Sequence, residues 1–280
     1  MSEQLDKLKQ HLLPFCREGI VLGFSGGVDS SLLLEVLVQL HTQDPFPFAA
    51  IMMRSPFQTK KECEEAEALA KQKNAPFQFI DYDPFAIPEI RTNQKERCYF
   101  CKKKFFSIIR EFAEENQIKH VIDGTNADDL KVFRPGQRAL KELHISSPLA
   151  DVGFDKQTVR TLSRELGLNT AGKYASPCLA TRFDYGMTLT EDGIKSAEAG
   201  EAVIRKYIPE TSEVRLRIRK GSVRIEVSKE QIPNLQHRGK EVLYELEQKG
   251  FRNISIDPEG YRSGAFDSAF LKKNNRRIRI

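Results

Sequence analysis

Short apolar runs alternate with longer amphipathic segments over the first half of this chain. Four of the runs predict buried strands, at residues 19–24, 47–54, 77–81 and 120–126. The segments between them repeat apolar residues at helical spacing, most clearly in an apolar stretch at 31–40 and a charged one at 60–72. Because strands alternate with helices, the pattern predicts a parallel sheet that helices cover on both faces.

The pattern changes after residue 150, where an irregular stretch rich in glycine, proline and serine separates two helical segments. From about Thr188 the predicted order is a helix, two strands joined at Gly221, a second helix and a last strand. Two strands with so short a connection predict an antiparallel hairpin. The sequence therefore predicts an α/β parallel-sheet domain at residues 1–180 and a smaller C-terminal α+β domain at residues 181–280.

The amino-acid composition and net charge indicate which kinds of ligand or macromolecule the protein binds. The chain has 40% hydrophobic and 30% charged residues, as an ordinary globular protein has. Its 44 basic and 39 acidic residues leave a net charge of +5, which suits an anionic small molecule but is too small to indicate nucleic acid. The N-terminal segment MSEQLDKLKQ is unlike a signal peptide, and no apolar run approaches the roughly 20 residues that span a bilayer. We therefore predict a cytoplasmic protein without a membrane partner.

Five cysteines favour metal binding or catalysis over structural disulfides, because the number is odd and the predicted compartment is reducing. Cys98 and Cys101 form a C-x-x-C pair between a polar run that looks disordered and a basic segment that predicts a helix. Such a pair can form a redox disulfide, supply half of a zinc site or hold part of an iron–sulfur cluster. Cys178 is isolated in the irregular segment SPCLATR, which indicates a functional role.

The segment SGGVDSS lies between a predicted strand and a predicted helix. Its glycines let backbone N–H groups approach an oxyanion closely, and the helix N-terminus adds a favourable dipole. Serine hydroxyls add hydrogen-bond donors, and Asp29 can hold a magnesium ion on bound phosphates. A capped turn at the start of a helix is the structural alternative. The residues predicted to bind phosphate are Ser25, Gly26, Gly27, Asp29, Ser30 and Ser31.

SGGVDSS resembles the signature of the PP-loop ATP pyrophosphatase superfamily. The resemblance implies an adenine nucleotide alpha hydrolase-like, Rossmann-like fold that binds ATP and transfers AMP to a carboxylate or carbonyl oxygen. The segment DGTNADD is similar to the second nucleotide-contacting turn of that superfamily, which assigns Gly124, Thr125 and Asn126 to the nucleotide site. Asp128 and Asp129 belong to the same segment, and the alternative to a role at the nucleotide site is that they are only charges at the N-terminus of a helix.

Together with CYFCKKKFF and SPCLATRF, these motifs resemble one family in particular, the LarE-type ATP-dependent sulfur transferases. That family acts on pyridinium-3,5-biscarboxylic acid mononucleotide, in the biosynthesis of the nickel-pincer nucleotide cofactor of lactate racemase. The resemblance extends over most of the chain and implies ATP, magnesium and a small mononucleotide substrate. It also implies a homo-oligomer, since the family forms hexamers, and it assigns substrate binding and oligomerisation to residues 181–280.

The resemblance also implies how sulfur is delivered. In the LarE-type family, the cysteine that matches Cys178 occupies the sulfur-delivering position. One branch has only this cysteine and sacrifices its sulfur, whereas another has three cysteines and a 4Fe–4S cluster that carries an extra sulfide. Cys98, Cys101 and Cys178 match the three-cysteine branch, which implies a cluster and a renewable sulfur source. A zinc site with three thiolates and a redox pair unrelated to Cys178 remain alternatives.

Arginines are predicted to bind the anionic substrate. Arg215, Arg217 and Arg219 alternate along one strand and therefore point to the same face. In the resembling family this hairpin supplies phosphate-binding arginines, which implies that Arg215 and Arg217 bind the substrate phosphate. The alternative is a row of solvated arginines without a binding role. Arg182, close to Cys178, is predicted to stabilise charge at an adenylated carbonyl, with a salt bridge as its alternative.

Three other functions are compatible with parts of the sequence. A tRNA thiolase also combines a PP-loop with three cysteines and a cluster, but it should show a dense basic surface or an RNA-binding domain. An amidating ligase of the NAD-synthetase type would not need the motif cysteines. A non-catalytic nucleotide-binding regulator would release no pyrophosphate.

Overall fold

The structure is a computed structural model that describes residues 3–131, 135–174, 177–209 and 212–262. These residues form two compact units. The first unit contains the described residues up to Thr181 together with Tyr185–Ile194. The second contains Arg182–Asp184 and the described residues from Lys195 onwards. In this described part of the chain, no helix is long and apolar enough to cross a membrane.

The first unit is built around a four-stranded parallel sheet. Its strands are β1 (Ile20–Gly23), β2 (Phe48–Arg54), β3 (Phe77–Asp81) and β4 (His120–Ile122). They lie in the order β3-β2-β1-β4, and Ile20 of β1 is in register with Phe48 on one side and His120 on the other. The predicted parallel α/β fold is confirmed. The fourth strand ends at Ile122 rather than at residue 126, because the chain turns at that point.

Helices connect the strands and follow the last one. They are α1 (Glu3–Cys16), α2 (Val28–Gln43), α3 (Lys60–Gln72), α4 (Pro88–Arg91), α5 (Arg97–Glu115), α6 (Ala127–Leu130), α7 (Pro135–Glu142), α8 (Pro148–Asp151) and α9 (Lys156–Glu165). The sequence does not predict the short helices α4, α6, α7 and α8. Segments of four to eight residues are too short to repeat an apolar pattern.

Apolar side chains on the two faces of the sheet form separate cores. Ile20 and Leu22 of β1 belong to the core that includes residues of α1, α2 and α9. Val21, between them, belongs to the core that includes residues of α5 and α7. Successive residues of a strand point to opposite faces, so β1 is buried on both sides and reads as one continuous apolar run. This packing holds the carboxyl ends of the strands, where the loops begin.

The second unit contains a smaller mixed sheet. β5 (Val214–Arg219) and β6 (Ser222–Val227) form an antiparallel hairpin, and β7 (Ile254–Ile256) pairs with β6 in parallel. Gly221 in the hairpin turn has φ +77°, which glycine adopts without steric cost. The remaining helices are α10 (Glu191–Arg205), α11 (Ile232–His237) and α12 (Gly239–Gln248). The predicted smaller α+β domain is confirmed, whereas the functional roles assigned to it stay predictions.

α10 packs closely on this sheet at Gly200. A Cβ atom at this position would lie 2.3 Å from Leu216 Cδ2 and 2.7 Å from Phe251 Cε2. Both neighbouring side chains are buried, so they have little room to move. The glycine therefore sets the distance between α10 and β5.

The substitution Gly200→Ala should destabilise the protein by about 1–3 kcal/mol, because the added methyl group overpacks this contact. Chemical denaturation should show a lower unfolding midpoint. Gly239→Ala in α12 is the matched control, since a Cβ there meets no described atom within 4 Å. Equal midpoints for the two variants would contradict the packing described here.

Candidate active site

The predicted phosphate loop lies at the carboxyl end of the central strand, between β1 and α2. Gly26 adopts φ +67°, and a Cβ there would lie 2.9 Å from Ala66 Cβ in α3. Glycine is therefore required both for the positive φ and for the close approach. Gly27 is the N-cap of α2 and makes no side-chain cap hydrogen bond. This helix N-terminus fits an anion as the partner of its first N–H groups.

The serine hydroxyls of the loop are engaged to different degrees. Ser25 Oγ and Ser30 Oγ are 3.1 Å apart, and Ser30 Oγ also donates to the Gly27 carbonyl at 3.2 Å. Ser31 Oγ is buried and has no hydrogen-bond partner among the described residues. A buried hydroxyl without a partner is costly. Ser31 therefore fits a loop whose missing acceptor is a phosphate oxygen.

The turn after β4 lies directly beside this loop. A Cβ at Gly124 would lie 3.0 Å from the backbone nitrogen of Ser30, so the two turns approach as closely as their backbones allow. Asn126 Nδ2 donates to Asp29 Oδ1 at 3.0 Å, which also joins the turns through side chains. The structure thus brings together the two segments predicted to contact the nucleotide.

The carboxylate of Asp123 accepts the hydrogen bonds that stabilise the second turn. Its Oδ1 accepts from the Thr125 N–H at 3.1 Å and from Ser147 Oγ at 2.7 Å, and its Oδ2 accepts from Thr125 Oγ1 at 2.6 Å. Lys102 Nζ lies 3.4 Å from the same carboxylate. The Thr125 hydroxyl therefore supports the turn, and its contact with the nucleotide stays a prediction. Asp123 is buried, and sequence analysis does not assign it a role.

Asn126 also caps α6. Its Oδ1 accepts from the backbone N–H groups of Asp128 and Asp129 at 3.0 and 3.1 Å. Asp129 completes a capping box by accepting from the Asn126 N–H at 3.3 Å. Both aspartates lie in the first turn of α6. This position agrees with the alternative prediction for them, that they are negative charges at the N-terminus of a helix.

Two lysines that carry no sequence motif also lie at the phosphate loop. Lys156 Nζ forms an ion pair with Asp29 Oδ2, and Lys173 Nζ is 3.5 Å from the Gly26 carbonyl oxygen. Lys173 also pairs with Glu65 Oε2 at 2.7 Å, so each lysine beside the loop already has a carboxylate partner. Both are cations beside the loop that could exchange these partners for phosphate oxygens at the helix N-terminus. The magnesium-binding role of Asp29 stays a prediction, because its oxygens contact Asn126 and Lys156 here.

The three motif cysteines all lie in the first unit, and none of them forms a disulfide. Cys98 and Cys101 are three residues apart at the start of α5 and therefore share one face of that helix. Cys178 precedes a 3-10 turn, and its carbonyl accepts from the Thr181 N–H and hydroxyl, both at 2.9 Å. Burial, followed by the negative charge of Cys178 and Cys98, raises the pKa of Cys101 to about 12. Cys98 and Cys178 are therefore near enough to influence the protonation of Cys101.

The donor set fits a thiolate-held cluster in number and kind, because three thiolates are the soft ligands that iron–sulfur clusters use. Within the described ranges, however, no three His, Cys, Asp or Glu side chains are arranged to hold a single metal ion. The zinc alternative stays open. The cluster itself stays a prediction.

Arg97, directly before the C-x-x-C pair, is a buried residue of this site that sequence analysis overlooks. Its Nη1 donates to the Ala180 carbonyl at 3.1 Å and to Asn93 Oδ1, and its Nη2 lies 4.0 Å from Cys98 Sγ. Burial lowers the pKa of Arg97, but the interactions with Cys178, Cys98 and Tyr185 together outweigh burial, so the pKa is raised. A positive charge thus faces the thiols.

Tyr82, which follows β3, lies beside the same thiols. Its hydroxyl is buried and has no hydrogen-bond partner in the described part of the chain. Burial raises the pKa of Tyr82, and the negative charge of Cys101 raises it further. The hydroxyl is therefore neutral and keeps a proton that it can donate.

The polar run ahead of Cys98 looks disordered in the sequence, and this prediction is wrong. Asn93 in that run is fully buried and adopts φ +51°. Its carbonyl accepts from the Gly186 N–H at 3.1 Å, and the Arg91 carbonyl accepts from the Leu189 N–H at 2.7 Å. The run is held by residues that come much later in the chain, and such contacts leave no local pattern.

The arginines predicted to bind substrate lie in the second unit and are not solvated. Arg215 and Arg217 are 3% and 5% exposed, which contradicts the alternative of a solvated row. Arg217 Nε donates to Glu226 Oε2 at 2.8 Å, and the Arg215 guanidinium lies 4.9 Å from the centre of the Tyr261 ring. These contacts hold the two guanidinium groups in place, and their substrate-binding role stays a prediction.

Arg182 forms a buried, bidentate ion pair in the second unit. Its Nε and Nη2 donate to the two carboxylate oxygens of Glu201 at 2.7 and 2.9 Å. Glu201 Oε1 also accepts from the Leu216 N–H at 2.9 Å. Burial lowers the pKa of Arg215, and the nearby charge of Arg182 lowers it further. Arg182 therefore forms the salt bridge that is the alternative to a catalytic role. The role of Arg182 at the adenylated carbonyl stays a prediction.

Comparison with known proteins agrees with this geometry. A family described as NAD synthase matches residues 1–127. The chain is 32% identical over 253 residues to pyridinium-3,5-bisthiocarboxylic acid mononucleotide synthase of Lactiplantibacillus plantarum, and the match covers 90% of each chain. The chain belongs to this LarE-type family of PP-loop proteins.

Two further relatives are similar to nearly the whole chain. An uncharacterized protein of Synechocystis is 32% identical over 274 residues, which is 97% of this chain and 100% of the relative. One from Methanocaldococcus jannaschii is 32% identical over 262 residues, which is 93% of this chain and 98% of the relative. The PP-loop membership implies the use of ATP, as predicted. The assignment to the iron–sulfur branch stays a prediction.

The substitution Gly124→Ala should weaken ATP binding about tenfold, because a methyl group would push the second turn away from the Ser30 backbone. Isothermal titration with ATP and Mg²⁺ measures the effect. Gly172→Ala is the matched control, since a Cβ there has no described atom within 4 Å. An ATP affinity equal to that of the control would show that the spacing of the turns does not matter.

Proposed function

We propose that this protein inserts sulfur into pyridinium-3,5-biscarboxylic acid mononucleotide in an ATP-dependent reaction. The thiocarboxylates formed would serve the biosynthesis of the nickel-pincer nucleotide cofactor of lactate racemase. The observation that carries the proposal is the grouping of Cys98, Cys101 and Cys178 in the unit that also contains the phosphate loop. The similarity to the Lactiplantibacillus plantarum synthase over 90% of the chain supports the substrate class.

The first proposed step is adenylation of a substrate carboxylate. A carboxylate oxygen attacks the α-phosphorus of ATP, the bond to the bridging oxygen breaks, and pyrophosphate leaves. The N-terminus of α2, the Ser31 hydroxyl and Lys156 would offset the charge of the pyrophosphate, with Asp29 as the proposed magnesium ligand. Adenylation makes the acyl group reactive, because AMP is a far better leaving group than an oxide ion.

The second proposed step forms the carbon–sulfur bond. A sulfur nucleophile attacks the acyl carbon, the bond to the AMP oxygen breaks, and AMP leaves with the electron pair. Repetition on the second carboxylate gives the dithio product. A 4Fe–4S cluster held by Cys98, Cys101 and Cys178 would supply sulfide renewably. In the alternative without a cluster, Cys178 would give up its own sulfur and become dehydroalanine.

We propose that the second unit binds the mononucleotide. Arg215 and Arg217 would pair with its phosphate, since guanidinium groups match phosphate oxygens in geometry and charge. Arg182 would have to exchange contacts with Glu201 before it could act on an adenylated carbonyl. A cytoplasmic hexamer, as the LarE-type resemblance implies, remains part of the proposal.

A tRNA thiolase is the second candidate, because one comparison favours it. The chain is 31% identical to a tRNA-cytidine(32) 2-sulfurtransferase of Francisella tularensis over 115 residues. That match covers 40% of this chain and 42% of the relative, whereas the LarE-type match covers 90% of each. The greater coverage and the net charge of only +5 favour the mononucleotide as substrate.

Serine substitution of each motif cysteine should separate the two steps. Cys98→Ser, Cys101→Ser and Cys178→Ser should keep pyrophosphate release within about threefold but lower thiocarboxylate formation about 100-fold, because only the second step needs sulfur. Cys63→Ser is the matched control, since Cys63 packs against the apolar core. An amidating ligase would be favoured instead if all three variants released pyrophosphate normally and still converted the adenylate to an amide at the rate of the unsubstituted protein. No pyrophosphate release with any acceptor would favour a nucleotide-binding regulator.

Iron and sulfide analysis of anaerobically purified protein, with its mass measured after turnover, distinguishes the sulfur sources. Bound iron and multiple turnovers are the expected result. Loss of one sulfur from Cys178 without iron would restore the sacrificial alternative. Zinc at the three thiols would contradict both.

A further inference from the structure

Arg97 is a buried cation with unusual partners. It is 3% exposed, and a buried charge is costly unless it is paired. Its hydrogen-bond acceptors are the Asn93 side-chain oxygen, the Ala180 carbonyl and the Cys98 sulfur. None of these three acceptors is a carboxylate. The guanidinium is therefore held by two neutral oxygens and by the sulfur of a motif cysteine.

The contacts of Arg97 join three segments that lie far apart in the sequence. Asn93 belongs to the turn before α5, Cys98 to the first turn of α5, and Ala180 to the 3-10 turn that follows Cys178. The carbonyl of Cys178 accepts two hydrogen bonds from Thr181, which ties Cys178 to that same turn. The turn of Cys178 is thus held at two points, by the bond from Arg97 to the Ala180 carbonyl and by the bond from the Leu179 N–H to the Phe57 carbonyl at 2.9 Å, and only the first of these comes from α5.

We propose that Arg97 is a positioning residue of the sulfur-transfer site. Its guanidinium holds the turn of Cys178 against the start of α5 and places a positive charge beside the sulfur atoms. The inference rests on the function proposed above and adds a residue to it. Arginine is required because its planar fork donates in several directions at once, whereas a lysine ammonium is a single point charge on a flexible stem.

This role concerns sulfur transfer and not adenylation. The three acceptors of Arg97 lie outside the phosphate loop and outside the turn at Gly124. Loss of the guanidinium should therefore leave ATP use intact while the thiols lose their mutual position. A misplacement of about 1 Å is enough to slow a reaction about 100-fold.

Disulfide trapping tests the position of Cys178 without reference to activity. The full-length protein, reduced and freed of metal, is oxidised mildly with diamide, and peptides that join Cys178 to Cys98 or Cys101 are quantified by mass spectrometry. Arg97→Gln should slow the trapping about tenfold, because exchange depends on the access of one sulfur to another. Lys104→Gln is the matched control, since Lys104 is an exposed cation of the same helix.

The activity test compares the two steps in the same variants. Arg97→Gln should release pyrophosphate within about threefold of the unsubstituted protein and form thiocarboxylate about 100-fold more slowly. Arg97→Lys, which keeps the charge but not the fork, should be intermediate in trapping and in sulfur transfer. The thermal unfolding midpoint of each variant is compared with that of the unsubstituted protein, because a lower midpoint would reveal a general loss of stability.

Each outcome decides the inference. Trapping and sulfur transfer equal to those of Lys104→Gln would overturn it. So would a parallel loss of pyrophosphate release and sulfur transfer with a lower unfolding midpoint, which a purely structural role predicts. If Arg97→Gln does not fold, Arg97→Lys decides, and trapping at the control rate overturns the inference. If the unsubstituted protein makes no thiocarboxylate, the proposed function fails, while slower trapping in Arg97→Gln still establishes the positioning of Cys178.

Discussion

The close contact between two backbone turns at the carboxyl ends of β1 and β4 supports the rest of the candidate site. A Cβ at Gly124 would lie 3.0 Å from the Ser30 nitrogen, so any larger residue would require the two backbones to move apart by a few tenths of an ångström. The two strands are neighbours in the sheet, and ligands of such sheets lie beyond the carboxyl ends. From the same turn, Asp123 reaches Lys102 of α5, next to Cys101. The contact thus connects the phosphate loop with the helix that carries the thiols.

The thiol site depends on a buried polar network. Asn93, Arg97 and Ala180 hold three chain segments together, and the acceptors of the guanidinium are neutral oxygens and a sulfur. Such networks are costly when one member is missing, because the others are left buried without partners. The Tyr82 hydroxyl is buried in the described part of the chain without a hydrogen-bond partner, which leaves one donor of this region unused.

The second unit uses charge differently. Its arginines are buried, and ion pairs or an aromatic ring hold them in place. A side chain that is already fixed loses less conformational entropy on binding a ligand. The bidentate pair of Arg182 with Glu201 also accepts a backbone N–H from β5, so it anchors α10 to the sheet as well as orienting a cation.

Sequence alone determined the elements and the chemical types. Its apolar periodicity predicted the parallel sheet, the hairpin and the long helices, because burial on a regular element repeats at a fixed spacing. Its motifs predicted the phosphate loop and the three thiols, since these need particular residues next to one another. The tertiary structure decided which distant residues complete them. Lys156, Arg97 and Asn93 carry no motif, and only the fold brings them to the loop and the thiols. Long-range hydrogen bonds and burial of charge depend on the whole packed unit, so no local pattern could reveal them.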